Sequence, residues 1–338
     1  MDRDLIRSMP KAELHRHLAG CITPEIALEM AERFGAPVPE RDPVALARVM
    51  VLKQPLRSLQ EVLSRFDLIA RLFVSPEAVR YAACRAVEDA AADGISYLEL
   101  RFSPGFTGYA HALPHEAVAE AVAEGTLEGM RRTGCQVPLI VIASREMGPE
   151  LCLETFRLAA RNRPRVVGVD LAGDEDNHPP ERFREAFDLA LSHGLAATVH
   201  AGEQAFPENV ATAILQLGAR RIGHGIRIVD RPDLVDLVRE RGVALEISVT
   251  SNWIVGAVAT PGEHPMRRLI RSGVPVSLNS DDPALFGISL SSELELCERI
   301  VPGLDLVAAQ RLALDHAFGD PVEVGRARLG LYEWSTRA

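Results

Sequence analysis

Four short strings in this 338-residue chain, HRHL (15–18), HAGE (200–203), GHG (223–225) and NSDDP (279–283), each end a run that reads as a β-strand. His15 and His17 stand two apart on such a strand, where side chains recur on one face with period two, so both imidazoles can reach one ion. His200 and Asp281 come from strands far along the chain, and a barrel brings such residues together by gathering its strand ends at one rim. Three histidines and one carboxylate suit a single zinc ion with a position left open for water, whose pKa falls there to about 7. The pattern points to a metal hydrolase.

The rest of the chain reads as the scaffold such a site needs. Short runs rich in Val, Ile and Leu alternate with longer amphipathic ones, the signature of a parallel sheet with crossover helices. Strands are expected over 13–18, 96–103, 137–144, 166–173, 196–203, 221–225, 244–252 and 275–282. Helical periodicity fills 115–133, 180–194 and 231–242, where apolar residues recur three and four apart. The spacing predicts an α/β fold, a (β/α)8 TIM barrel. Between the first two strands lie three further helical patterns, 24–35, 58–73 and 76–94. This helical insertion, about 24–94, is expected to form a lid over the catalytic rim. With no linker, repeat or low-complexity segment, residues 1–338 read as one domain.

Composition excludes several classes of partner. A formal net charge of −10 is the wrong sign for a surface that binds nucleic acid through its phosphates, so a small molecule is the expected ligand. The five cysteines, Cys21, Cys84, Cys135, Cys152 and Cys297, are scattered without a CxxC pair, which argues for a reducing compartment. The first residues, MDRDLIRSMPKAE, contain no signal-peptide apolar core, and no run approaches the roughly 18 apolar residues of a membrane span. A cytoplasmic protein without a membrane partner is expected.

From PKAELHRHLAG near the start, through DLAGDE, HAGE and RIGHG, to SLNSDDPALF, the chain resembles the adenosine deaminases, zinc enzymes of the amidohydrolase superfamily. The resemblance implies His15, His17, His200 and Asp281 as ligands of one zinc per chain. It implies Glu203 as the proton-transfer residue, His224 as the group beside the activated water, Asp282 as a contact to purine N7, and Gly173 as a backbone contact to purine N3. The chemistry asks for these residue types independently. Attack at C6 of a 6-aminopurine builds electron density on N1, which needs a proton, and a carboxyl three residues beyond His200 can stand beneath the ring to supply it. Burial would raise the pKa of Glu203, although a metal charge opposes that shift. His224 can orient the nucleophile or stabilise the oxygen as it adds.

Other residues receive duller assignments. His111, His115, His178, His193 and His316 lie in loops or helical patterns without a site context, and His264 in GEHPMRRL is read as a capping or supporting residue. Asp174 and Glu175 either contact substrate or simply favour a helix start through its dipole. Ser103 is expected to shape the rim. A binuclear relative with a carboxylated lysine is disfavoured, because the only lysines are Lys11 and Lys53 and neither ends the fourth strand. The HxE and PCxxC signature of cytidine-type deaminases is absent.

One departure from the family pattern bears on substrate. Where these enzymes commonly continue HxHLDG, with the aspartate binding the ribose 5′-hydroxyl, this chain reads HRHLAG and has Ala19. Loss of that acceptor removes the reward for the hydroxyl and opens volume beside it. The profile resembles deaminases of 6-aminodeoxyfutalosine, a menaquinone-pathway intermediate whose 5′ carbon carries a ketone linked to a carboxyphenyl group. Arg16 should point off the metal face, and an arginine of the insertion, such as Arg57 or Arg65, is the candidate partner for that carboxylate. SVTSNW (248–253) replaces the common CPTSN, making Trp253 a candidate aromatic wall. A 5′-modified nucleoside is therefore expected first and adenosine second. Free adenine is third, because adenine-specific relatives usually place a glutamate at the position of Ala19.

Overall fold

A computed structural model describes residues 1–56, 59–204 and 206–337, with the backbone alone for 59–63. Eight parallel strands run in chain order: β1 (Lys11–His17), β2 (Ile95–Phe102), β3 (Leu139–Ser144), β4 (Val166–Ala172), β5 (Ala196–Ala201), β6 (Arg221–His224), β7 (Ala244–Ile247) and β8 (Val276–Leu278). Their Leu, Ile and Val residues, apart from the half-buried Val167, are buried on both faces, as a parallel sheet wrapped by helices requires. The barrel closes where β8 meets β1. Asp281 N donates to His15 O at 3.1 Å and His17 N donates to Asp281 O at 2.9 Å. Between these and β8 the Asn279 side chain stands in for the ladder, its Oδ1 accepting from Leu14 N and His15 N at 3.0 and 3.1 Å.

Local signals start the helices between β1 and β2. Thr23, Asp42 and Ser75 each accept a first-turn N–H and each precedes a proline at the first helical position, opening Pro24–Phe34, Pro43–Met50 and Pro76–Ala92. The last of these belongs to the outer ring of the barrel, where it packs on His115–Thr133 and on β2. Glycine makes that approach possible: a Cβ on Gly125 would collide with Arg80 O, and one on Gly129 with Val87. The part of the insertion tied to the C-terminal rim is therefore shorter than 24–94. Leu52 N and Leu56 N donate to Leu285 O and Ile254 O, in the segments that follow β8 and β7. The helix Leu59–Ala70 meets the segment after β2, with Phe66 edge-on to Phe106 and Tyr109 Oη donating to Asp67.

Two strands are shorter than their apolar runs. The run 244–252 leaves the sheet at Ile247, and Val249–Ile254 is a helix whose first turn is held by Glu293, which accepts from Thr250 N and Thr250 Oγ1. A contact made from a distant helix thus overrides the β-branched composition of SVTSNW. The run 275–282 leaves β8 at Leu278; beyond it Asp281 returns to pair with β1 in an isolated bridge to Arg16, and Asp282 precedes the short helix Pro283–Phe286. No helix among the described residues is long and apolar enough to cross a membrane.

Candidate active site

The C-terminal ends of β1, β5 and β6 and the turn after β8 bring five side chains to one point. The donor atoms of His15, His17 and His200 lie within 4.8 Å of one another, as do those of His15, His224 and Asp281. Asp281 Oδ1 is 3.3 Å from His15 Nε2 and 3.2 Å from His17 Nε2, and the two imidazole nitrogens are themselves 3.2 Å apart. Two of these residues adopt a backbone that L side chains rarely take: φ is 64° at both His224 and Asp281. At Asp281 the turn is held from below by Glu13, which accepts from Ser280 N at 2.6 Å and from Ser280 Oγ.

The donor chemistry fits a zinc-type ion. His15 Nδ1 lies 2.8 Å from Glu246 Oε2, and His200 Nδ1 lies 3.0 Å from Asp170 Oδ2. A carboxylate at Nδ1 fixes the proton there and turns an Nε2 lone pair toward the cluster, the usual support of a metal-binding histidine. With His17 Nε2 and Asp281 Oδ1 the set is three nitrogens and one oxygen, which suits zinc better than calcium or magnesium.

Beneath the histidines runs a chain of fully buried charges. Arg101 donates to Asp170 Oδ2 and Glu246 Oε2, both at 2.8 Å, and Arg221 bridges Glu246 Oε1 and Glu99 Oε2, both at 2.6 Å. Burial pushes the carboxyls of Asp170 and Glu246 up, but the proton-donating groups beside them outweigh it. His200 and then Arg101 hold Asp170 below its usual range, and Arg101 and Arg221 do the same for Glu246. Sequence reasoning missed this layer. Its signal was a charge inside an apolar strand: Glu99 and Arg101 in SYLELRFS, Asp170 in VVGVDLAG, Glu246 in ALEIS.

Glu203 stands beside the cluster, its Oε1 accepting from Asn252 Nδ2 at 2.7 Å and lying 3.6 Å from His224 Nδ1. Burial, and then the charge of Asp281, raise its pKa to about 8, while the bond from Asn252 pulls the other way. Glu175 cradles the HAGE turn, accepting from the backbone N–H groups of Gly202, Glu203 and Gln204 at 2.7 to 3.0 Å. That contact is a role that sequence reasoning did not weigh for it. Asp174 closes a local turn onto Asp176 N and Asn177 N.

Asp282 is buried, its Oδ1 has no protein partner, and burial followed by the charge of Asp281 pushes its carboxyl well up. Gly173 has a φ of 106°, and a Cβ there would strike the Glu146 carboxylate. Ser103 caps the helix Pro104–Tyr109. His264 caps Met266 N and also reaches Asn252 Oδ1.

Arg16 is buried and paired with Glu13 at 3.2 Å. Arg65 is half-buried with Nη1 3.4 Å from Ser64 Oγ, and Arg57 lies outside the described residues. Trp253 is half-buried in the helix Val249–Ile254. Lys11 Nζ is spent on the carbonyls of Ile6, Arg7 and Met9 at the start of β1, the opposite end of the barrel from the site, so it cannot bridge two metals.

An eight-stranded parallel barrel with this histidine–carboxylate cluster on its C-terminal rim defines a class, the α/β barrels whose rim is suited to a metal. Comparison with known proteins narrows it. The family model for adenosine deaminase matches residues 10–319, so the chain belongs to the adenosine deaminase family of the amidohydrolase superfamily and is a hydrolytic deaminase. It is 39% identical over 285 residues to the adenosine deaminase of Serratia proteamaculans (strain 568), covering 84% of this chain and 86% of that one. The adenine deaminase of Arthrobacter aurescens superposes with a TM-score of 0.87 at 25% identity, over 97% of this chain and 99% of its own. An amidohydrolase of Burkhoderia ambifaria with bound Zn gives 0.86 at 27% identity, over 99% and 93%.

Proposed function

We propose that the protein hydrolyses the 6-amino group of a purine nucleoside carrying a modified 5′ position, releasing ammonia and the 6-oxo product. His15, His17, His200 and Asp281 would hold a zinc ion, which when bound would supply a water nucleophile active at neutral pH. The family relationship and the zinc-bearing relative support that metal. Within the site, the neutral Glu203 carboxyl donates a proton to purine N1 as oxygen adds to C6; of the two protons that oxygen sheds, one passes to the leaving nitrogen, which departs as ammonia, and the other restores the carboxyl. The C6–O bond forms and the C6–N bond breaks. His224 holds the incoming oxygen by a hydrogen bond without binding the metal. Purine N7 is an acceptor, so Asp282 must be protonated to serve it, and the upward push on its buried carboxyl favours that form. The Gly173 backbone N–H faces purine N3.

The observation that carries the substrate assignment is Ala19. It lies two residues beyond the end of β1, half-buried on the rim, next to the glycine that packs on Asp282, and its methyl offers a 5′-hydroxyl no acceptor. Of 5′-modified nucleosides, 6-aminodeoxyfutalosine matches best because its bulky 5′ group needs the volume an aspartate would fill. Ordinary adenosine deamination is the second reading, favoured by the Serratia relative. Ammonia release from adenosine, 5′-deoxyadenosine, 6-aminodeoxyfutalosine, AMP and adenine separates them. Indifference to the 5′-hydroxyl is the expected result.

A further inference from the structure

Every hydrogen bond around Asn252 has a direction set by one fixed donor. Met266 N lies 3.1 Å from His264 Nδ1, and a backbone N–H only donates, so His264 Nδ1 carries no proton and Nε2 does. Burial holds this ring neutral, pushing its pKa down to about 4. His264 Nε2 lies 3.0 Å from Asn252 Oδ1, an N–H facing an acceptor, which turns the amide nitrogen of Asn252 to the other side. There its two hydrogens have two destinations, Glu203 Oε1 at 2.7 Å and His224 Nδ1 at 3.1 Å. His224 Nδ1 therefore accepts, and its proton sits on Nε2, the nitrogen 3.8 Å from Asp281 Oδ2. Glu203 Oε1 accepts as well, so the proton of the neutral carboxyl sits on Oε2.

We infer that His264 is a positioning residue for deamination: acting through Asn252, it fixes His224 as an Nε2–H donor and Glu203 as an Oε2–H acid. The inference rests on the roles proposed above for those two residues. It also separates His224 from the metal ligands. His15 and His200 have carboxylates at Nδ1 and a free Nε2 lone pair, whereas His224 has a donor at Nδ1 and a proton at Nε2. Both His264 and Asn252 are buried, at 3% and 0% exposure, so no bulk water replaces the missing partner. Without His264 the amide can turn over and present Oδ1 to His224 and Glu203. That would favour the Nδ1–H form of His224 and take the oriented donor out of the site.

The test uses zinc-loaded protein labelled with 15N-histidine, in which imidazole nitrogen shifts report the tautomer and His224→Gln assigns the signal. Wild type should show His224 protonated at Nε2. His264→Leu should keep its zinc, move His224 toward the Nδ1–H form, and lower kcat on the order of 10-fold or more with a smaller change in KM. His264→Gln, whose amide can accept from Met266 N and donate to Asn252, should recover much of both. An Nδ1–H tautomer in wild type overturns the inference, as do a wild-type spectrum and kcat in His264→Leu, or loss of zinc there. Should His264→Leu fail to fold, the wild-type spectrum still decides. The tautomer is read without turnover, so failure of the proposed reaction, seen as normal turnover by Glu203→Gln, is distinguishable.

Discussion

Gly20 packs against Asp282 so closely that a Cβ on the glycine would lie 2.5 Å from the aspartate Cβ and nearer still to its Oδ1. The first and last strings of the site are thus fitted face to face, and the glycine of HRHLAG is the residue that permits it. Gly20→Ala must displace Asp282 or the turn carrying Asp281. The expected loss in kcat/KM is on the order of 10²-fold, the scale of an ångström-sized misplacement. Wild-type kinetics in this variant would show the fit to be irrelevant.

Glu203→Gln removes the transferable proton and keeps the shape. Zinc content and substrate affinity should hold while kcat drops by roughly 10²-fold or more. In the proposed mechanism the acid form is the working one, so wild-type activity should be present below the Glu203 pKa and be lost as pH rises through it. Burial and Asp281 place that value at about 8, and a bound cation lowers it, so the alkaline limb of kcat/KM should fall at or below that pH. The residual rate of Glu203→Gln should lack this limb.

Asp281→Ala and His224→Ala should fail differently. The first should lose most of the zinc by elemental analysis. The second should retain it and lose turnover, because His224 Nδ1 is engaged by Asn252 rather than by a carboxylate. Equal metal loss in the two would make His224 a ligand.

Arg101→Met leaves Asp170 and Glu246 facing each other's charge in a dry interior. Breaking a buried ion pair costs about 3–5 kcal/mol, so the urea midpoint should fall sharply, and zinc affinity with it, since these carboxylates orient His200 and His15. Unchanged stability would show that the network is dispensable.

That the four strings HRHL, HAGE, GHG and NSDDP cluster was legible because period two on β1 and motifs at strand ends are local facts. The supporting layer was not, because Arg101, Asp170, Glu246 and Arg221 meet only when the barrel closes. Asn252 was hidden for a related reason. SVTSNW has strand composition, and Glu293, from a later helix, holds the first turn of the helix that carries Asn252 to Glu203. Glu175 looked like a helix-opening acid, and its three backbone partners lie in a turn contributed by another strand.

Ala19→Asp should restore an acceptor beside the ribose 5′ end. The expected swing is about 1–3 kcal/mol toward adenosine and away from substrates with a bulky or anionic 5′ group, the worth of one hydrogen bond made or one buried acceptor left unpaired. A variant with unchanged ratios would show that Ala19 does not face the 5′ position.

Steady-state ammonia release by the zinc-loaded wild type from adenosine, 5′-deoxyadenosine and 6-aminodeoxyfutalosine tests the central claim most directly. The account predicts turnover of all three, with kcat/KM for 5′-deoxyadenosine equal to or above that for adenosine and the highest value for 6-aminodeoxyfutalosine. A strong preference for adenosine over 5′-deoxyadenosine would contradict it, because the 5′-hydroxyl would then be recognised at a site that Ala19 leaves without an acceptor.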